Sequence, residues 1–407
     1  MLRVAPSKSE THRALVLAAR SGSPVRVYNP LSAQDTHSTR DAVCALGAVV
    51  EEASDHWLVH AKRLGPPDRA MDCGNSGTTL RLMTAQAAMM PATIDLVGDS
   101  SLSRRPNQPL LDALRALGAE VESTQGRAPI RVRGPLRGGD VSLPGRLSSQ
   151  FASALVLALP FAEFGSVVTV ESPVHSRPYL DLTIAMAQQA GLSVVLSEFA
   201  GGDLQLAIPG QQSVSASSLT VGADWSTAAL VMAAALLSGG SVRLVGLDPK
   251  SAQGDRRILD HLAGFGASIT HHTDGSIELA GTELSSPGRI DVSQTPDLFP
   301  PLCAIAATAK GQTLLQGSSG LRHKECDRIA AMARGLRAAG IECKERSDAL
   351  LITGGRPRAA DYSAEGDHRV HMALCALALA ADEPSTVDGA WSTVISYPGF
   401  HTDLGSL

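Results

Sequence analysis

A chain of 407 residues exceeds what one hydrophobic core usually spans, so two domains are expected. Apolar residues make up 44% and aromatic residues only 3%, so the core is filled by Ala, Leu and Val, which suits helices packed closely on sheets. A net charge of -5 without any basic block excludes a nucleic-acid surface, although a few clustered Arg and Lys side chains can still receive a small anion.

The opening M-L-R-V-A-P-S-K has no apolar segment after its early charge and does not read as a signal peptide. The longest apolar runs, such as Ala228–Leu237, are too short to span a bilayer. The cysteines Cys44, Cys73, Cys303, Cys326, Cys343 and Cys375 show no paired metal-ligand spacing and read as thiols of a reducing cytosol. A soluble cytoplasmic protein without a metal is expected.

In chain order, small-residue helices are predicted at Ala14–Ala19, Leu80–Met89, Ala152–Ala162, Ala228–Leu237, Pro301–Ala309 and Met372–Ala380. Strand-like runs follow them, for instance Val25–Tyr28, Val167–Val170, Val242–Val245 and Thr313–Leu315. A short phrase then recurs: A-L-G-A-V-V, A-L-G-A-E-V, Q-A-G-L-S-V, G-F-G-A-S-I and A-A-G-I-E-C. Its glycines are Gly47, Gly118, Gly191, Gly266 and Gly340, spaced by 71, 73, 75 and 74 residues. Such a period marks repeat architecture. Each phrase closes an amphipathic helix on a glycine and passes into a strand. The predicted unit is helix–strand–helix–strand–strand in six copies, the last truncated, three to a domain. Residues 1–7 with 223–407 are expected to form a discontinuous first domain, and 8–222 an inserted second one, with the active site in the cleft between them.

The chemistry-bearing residues sit at the starts of these helices. Pro6–Arg13 (P-S-K-S-E-T-H-R) places hydroxyls, Lys8 and Arg13 before an apolar helix, which suits phosphate and equally suits an ordinary cap. Asp72–Arg81 (D-C-G-N-S-G-T-T-L-R) has glycines that admit a ligand to the backbone, with Asn75 and Thr78 as polar contacts. It lacks the Gly-Lys-Ser/Thr ending of a nucleotide loop, so no nucleotide is expected. Gly98–Pro109 carries the pair Arg104-Arg105. Ser148, Ser149 and Gln150 precede an apolar helix, where capping alone would explain them. Ser176–Asp181 reads S-R-P-Y-L-D, Asp297 stands before another apolar helix, and Asp367-His368-Arg369 opens the last small-residue helix. Any one of these is explained by capping. Repetition of caps does not explain so many cations, whereas helix starts converging on an anionic ligand would.

The densest stretch is Leu321–Arg328, L-R-H-K-E-C-D-R, in which Arg322, His323, Lys324, Glu325, Asp327 and Arg328 can all carry charge. As a helix entrance it would set Lys324 and Arg328 one turn apart on one face, gripping one anion. Glu325 beside Lys324 would pair a base with a cation, as proton transfer near an anionic reactant requires.

In the order P-S-K-S…R, G-N-S-G-T…R, R-R-P, S-S-Q-F, S-R-P-Y, P-D, K-E-C-D-R and D-H-R, the chain from Pro6 to Leu404 resembles the enolpyruvyl transferases. Within them it resembles the 5-enolpyruvylshikimate-3-phosphate synthase family, whose glyphosate-binding members place a small residue at the position of Gly77. The resemblance implies an α/β (α+β) fold, a two-domain inverse α/β barrel with three repeats per domain. It implies transfer of the enolpyruvyl group of phosphoenolpyruvate to the 5-hydroxyl of shikimate 3-phosphate, by a monomer, with no cofactor, membrane or nucleic-acid partner. Lys8, Ser9, Arg13, Ser148, Ser149, Gln150, Ser176, Tyr179, Asp297 and Lys324 would then hold shikimate 3-phosphate. Lys8, Asn75, Gly77, Thr78, Arg105, Gln150, Arg328 and Arg369 would surround phosphoenolpyruvate, and Asp297, Lys324, Glu325 and Lys8 would act at the reacting centre.

Some positions depart from the family pattern: Glu10-Thr11-His12 between Lys8 and Arg13, Gly320 four before Lys324, Ile395 where some members have a lysine, and Gly366 before Asp367. These leave room for a divergent carboxyvinyltransferase or elimination enzyme on a shikimate-like acceptor, or for a silent binding protein on the same scaffold. Transfer to UDP-N-acetylglucosamine fits less well, because no Cys lies between Asp99 and Pro109.

Overall fold

The computed structural model describes residues 1–61, 64–281, 283–317 and 319–407. The chain divides into an inserted unit, Pro6–Val221, and a discontinuous outer unit made of Met1–Ala5 and Gly222–Leu407. Each has its own hydrophobic core. The inserted unit carries α1 (Lys8–Ala19), α2 (Gln34–Ala45), α3 (Gly77–Ala87), α4 (Gln108–Ala116), α5 (Gln150–Val156) and α6 (Arg177–Gln189). The outer unit carries α7 (Trp225–Leu237), α8 (Ile258–Gly264), α9 (Phe299–Ala306), α10 (Arg328–Ala338), α11 (His368–Ala378) and α12 (Phe400–Leu404). No described helix is long and apolar enough to cross a membrane.

The odd-numbered helices up to α11 are the small-residue helices of the repeat. In the outer unit α7, α9 and α11 pack against one another, and in the inserted unit α3 packs against α1 and α5. All thirteen residues of α7 are buried. Its alanines let neighbouring backbones approach closely, which is how a core with few aromatics reaches interior density. The even-numbered helices α2, α4, α6, α8 and α10 close on Gly47, Gly118, Gly191, Gly266 and Gly340. These have φ of 102°, 101°, 90°, 86° and 76°, left-handed values that a residue with a Cβ would resist.

Every small-residue helix starts earlier than its apolar run. The first begins at Lys8 rather than Ala14, and α11 at His368 rather than Met372. Ser7 accepts from the Glu10 amide and Asp367 from the amides of Arg369 and Val370. The polar motifs are therefore first helical turns as well as the loops before them, and an apolar period cannot register them. At the charged stretch the opposite holds. Asp327 accepts from the Ala330 amide, so α10 begins at Arg328, and Lys324 lies in the turn before it. The expected one-turn pairing of Lys324 with Arg328 on a single helix face is corrected accordingly.

The repeat also has a strand that its sequence does not announce. Each first strand is joined, in parallel, by a short strand from elsewhere in its unit. Met71–Asp72 joins Thr93–Val97, Gly139–Pro144 joins Ser166–Glu171, and Ser218–Thr220 returns to Val25–Tyr28, so each repeat of the inserted unit hands a strand to the next around a closed ring. In the outer unit Arg289–Asp291 joins Gln312–Gln316 and Asp361–Tyr362 joins Thr386–Val387. The strand that completes this second ring is Leu2–Arg3, which pairs with Ser241–Val245. The N-terminal five residues thus belong to the outer unit because a backbone ladder needs them there. All of these but Gly139–Pro144 are two or three residues long, too short for alternation to be read.

Candidate active site

In the inserted unit the predicted residues gather at the starts of α1, α3 and α5. Ser7 caps α1 and puts Lys8 in its first turn, where the ammonium lies 2.8 Å from Asp35 Oδ2. Gly74, at φ 56°, turns the chain into α3, whose cap Ser76 accepts from the Thr79 amide. Asn75 donates to Asp99 Oδ2 at 2.6 Å and accepts from Arg105 Nη2 at 2.8 Å. A Cβ on Gly77 would lie 3.0 Å from Arg105 Nη1, so this glycine is what lets the guanidinium sit against the turn. Gln150, at the head of α5, accepts from Arg81 Nη1 at 2.5 Å and donates to Thr78 Oγ1 at 3.1 Å. Asn75, Gly77, Thr78, Arg105 and Gln150 are therefore one connected surface.

Arg81, which closes the same motif, ties that surface together. Besides Gln150 it donates to Asn107 Oδ1 at 3.0 Å, and its guanidinium lies 5.2 Å from the Phe151 ring centre. Its place at the end of the G-N-S-G-T-T-L-R motif was the available signal. Ser148 Oγ accepts from the Gln150 amide, while Ser149 is buried at the head of α5 without a side-chain cap bond. Ser176 adopts left-handed φ of 56° at the head of α6, a conformation that costs a non-glycine residue energy and is typical of functional turns. Arg13 is buried and turned toward α6, donating to Thr183 Oγ1, the Tyr179 carbonyl and the Ser9 carbonyl. Burial lowers its pKa to about 10, with Tyr179 and Glu10 acting in the opposite sense. In this structure it joins two helices.

The outer unit gathers the acids. Arg328, 1% exposed, donates to Asp297 Oδ1 at 2.8 Å, Glu325 Oε2 at 2.9 Å and Asp367 Oδ2 at 2.8 Å. Burial by itself would lower the pKa of this guanidinium, but Asp367, Glu325 and Asp297 together hold it well above its ordinary value. Arg369 Nη2 reaches the other oxygen of Asp297 at 3.0 Å. Asp297 lies in a single turn, Pro296–Leu298, ahead of α9, whose cap residue is Leu298. Its carboxylate faces the two arginines, which separates it from the capping explanation. Behind this group Asp255, fully buried and bonded to Ser226, has its pKa pushed up to about 7 by burial and then by Asp297. In the sequence Asp255 carries no signal, since a lone Asp in Q-G-D-R-R looks like a solvated turn. Ile395 is buried, as an apolar residue in that position would be.

One cluster thus offers helix starts, amides and cations to an anion. The other holds carboxylates against two buried arginines, with Lys324 next to Glu325 in the chain, and is equipped to move protons beside negative charge.

Comparison with known proteins shows the family. The family model for EPSP synthase (3-phosphoshikimate 1-carboxyvinyltransferase) matches residues 1–404. The chain is 39% identical over 406 residues to a 3-phosphoshikimate 1-carboxyvinyltransferase of Methanocorpusculum labreanum, covering 99% of this chain and 94% of that one. It is 41% identical over 408 residues to the enzyme of that name from Methanothrix thermoacetophila, covering 99% and 94%. Among solved structures it resembles the EPSP synthase of Acinetobacter baumannii, with a TM-score of 0.79, 27% identity, and coverage of 100% of this chain and 94% of the other. The chain belongs to the EPSP synthase family.

Proposed function

We infer from this membership that the protein transfers the enolpyruvyl (carboxyvinyl) group of phosphoenolpyruvate to the 5-hydroxyl of shikimate 3-phosphate, releasing phosphate, in the shikimate pathway to aromatic amino acids. The observation that carries the chemical reading is Arg328, buried and shared by Asp297, Glu325 and Asp367. A buried guanidinium so surrounded is a strong anion receptor already neutralised by groups that can exchange places with a substrate carboxylate or phosphate.

The reaction needs the acceptor oxygen to attack C2 of phosphoenolpyruvate as it loses its proton, while C3 gains one. From the resulting tetrahedral adduct C3 gives a proton back and the C2–O bond to phosphate breaks. In our assignment Arg328 and Arg369 take the anionic groups of phosphoenolpyruvate, which draws them away from Asp297 and Glu325. Those two carboxylates then serve as the proton carriers, with Lys324 stabilising the negative charge that develops. Lys8, Arg105 and the Asn75–Thr78 turn hold the departing phosphate. Ser148, Ser149, Gln150, Ser176 and Tyr179 hold the shikimate phosphate and ring, with Ser9 and Arg13 supporting them. Each unit thus supplies residues that the reaction needs. The protein acts as a cytoplasmic monomer, for which size-exclusion chromatography is the direct check.

The test is phosphate release with purified protein. Release that requires both phosphoenolpyruvate and shikimate 3-phosphate is the expected result. Binding of both without release would leave a silent scaffold, and release only with another acceptor would indicate a divergent transferase.

A further inference from the structure

Helix α2 supplies none of the predicted substrate contacts, yet it grips α1 in register. Lys8 and His12 lie one turn apart on α1, and Asp35 and Thr39 one turn apart on α2. Lys8 Nζ meets Asp35 Oδ2 at 2.8 Å and His12 Nδ1 meets Thr39 Oγ1 at 2.6 Å, each pair separated by 27 residues. Thr39 Oγ1 continues to Thr79 Oγ1 at 2.6 Å, and Thr79 Oγ1 donates to Ser76 Oγ, the cap of α3, at 2.8 Å. His12, Thr39, Thr79 and Ser76 are all completely buried, and Asp35 is 4% exposed.

The hydrogens in this chain have one consistent direction. A hydroxyl has one proton, so Thr79, donating to Ser76, accepts from Thr39, and Thr39 accepts from His12. His12 is therefore a neutral imidazole carrying its proton on Nδ1. Burial, then Lys8 and Arg13, keep its pKa well below the usual value, and its buried Nε2 has no partner among the described residues. An imidazole of that charge and tautomer holds the chain without adding a cation beside Lys8.

We propose that α2 is the positioning element of the inserted cluster: Asp35 orients the Lys8 ammonium, and Thr39, between His12 and Thr79, fixes α1 against α3 so that Lys8 and the Asn75–Thr78 turn meet substrate at a set separation. The proposal rests on the assignment of Lys8 to the reacting centre. Asp35 and Thr39 are positioning residues, acting through Lys8 and the turn, and their removal misplaces a reacting group without deleting it.

The experiment is a double-mutant cycle in the intact protein, reading kcat and KM for phosphoenolpyruvate by phosphate release, with thermal unfolding alongside. Asp35→Asn keeps the shape and removes the charge. It is expected to lower kcat/KM roughly 30-fold in the wild-type background and by less than about twofold in Lys8→Met, since the two act as one unit. A loss of the same factor in both backgrounds would mean Asp35 serves stability alone. An unimpaired Asp35→Asn beside a crippled Lys8→Met overturns the proposal by itself, whereas near-normal turnover of Lys8→Met removes Lys8 from the centre and the proposal with it. If Asp35→Asn fails to fold, the Thr39 pair decides. Thr39→Ser keeps the hydroxyl and should match wild type, while Thr39→Val should lose roughly tenfold in kcat/KM; equal activity of the two would refute the clamp.

Discussion

The two clusters solve the problem of handling anions in different ways. In the inserted unit Lys8 has the buried Asp35, while Arg105 bonds to Asn75, a neutral amide. In the outer unit Arg328 alone meets three carboxylates and Arg369 shares one of them. The first arrangement offers an incoming anion helix starts, amides and the cations set among them. The second offers it ion pairs that must be exchanged. The difference teaches that cations of the same predicted role sit in unlike surroundings: those in the outer unit are bonded directly to several carboxylates.

The largest expected effect separates chemistry from scaffold. Lys324 lies in a turn outside any helix, so Lys324→Met should leave the unfolding midpoint close to wild type while kcat falls by about 1,000-fold, within the range for a lost proton-handling group. Phosphate release near the wild-type rate would take Lys324 out of the mechanism.

The comparison itself is tested by two arginines. Arg328→Met would bury Asp297, Glu325 and Asp367 around an uncharged side chain, and denaturant unfolding should show a loss of about 3–5 kcal/mol. Arg105→Met leaves Asn75 short of one donor and should cost about 1 kcal/mol. Equal losses would erase the distinction between the units.

A third measurement sharpens the account of the acid cluster. Asp255 has a native pKa near 7 against about 3.9 for an unfolded Asp. Between those values the native state holds the extra proton, so stability falls as pH rises from about 4 to about 7 and is level above that. Asp255→Asn cannot titrate. Between pH 5 and pH 8 the wild type should therefore lose about 2.6 kcal/mol more than the variant by urea unfolding, and parallel pH curves would show that Asp255 is already ionised.

The smallest effect belongs to Gly77. A methyl group there would meet Arg105 Nη1 at 3.0 Å, the far end of a flexible side chain. Gly77→Ala should raise KM for phosphoenolpyruvate about tenfold, about 1.4 kcal/mol of binding, with stability within about 0.5 kcal/mol of wild type. An unchanged KM would mean that Arg105 does not need the gap.

The candidate residues are legible in the sequence because they stand at helix starts, where hydroxyls, amides and cations recur too often for capping alone. Asn75, Gly77, Thr78, Arg105 and Gln150 do form one surface, and Asp297, Glu325, Arg328 and Arg369 another. Asp255 has no local signature, because it works through neighbours distant in the chain, while Arg81 stands at the end of a motif that does not show its link to Gln150 and Asn107. Arg13 shows the converse: its motif suggests a ligand, while its guanidinium bonds to Thr183 and Tyr179 of α6.

By itself the sequence determined the repeat, its period and the glycines that end its helices, because a left-handed residue and an apolar face are settled within a few neighbouring positions. Only tertiary structure decided that Leu2–Arg3 would complete the outer ring of strands, that Arg328 would meet acids 31 and 39 residues away, and that α2 would lie in register along α1. Such pairings depend on which buried groups packing brings within hydrogen-bond reach, and a desolvated charge or hydroxyl must find its partner there, wherever that partner stands in the chain.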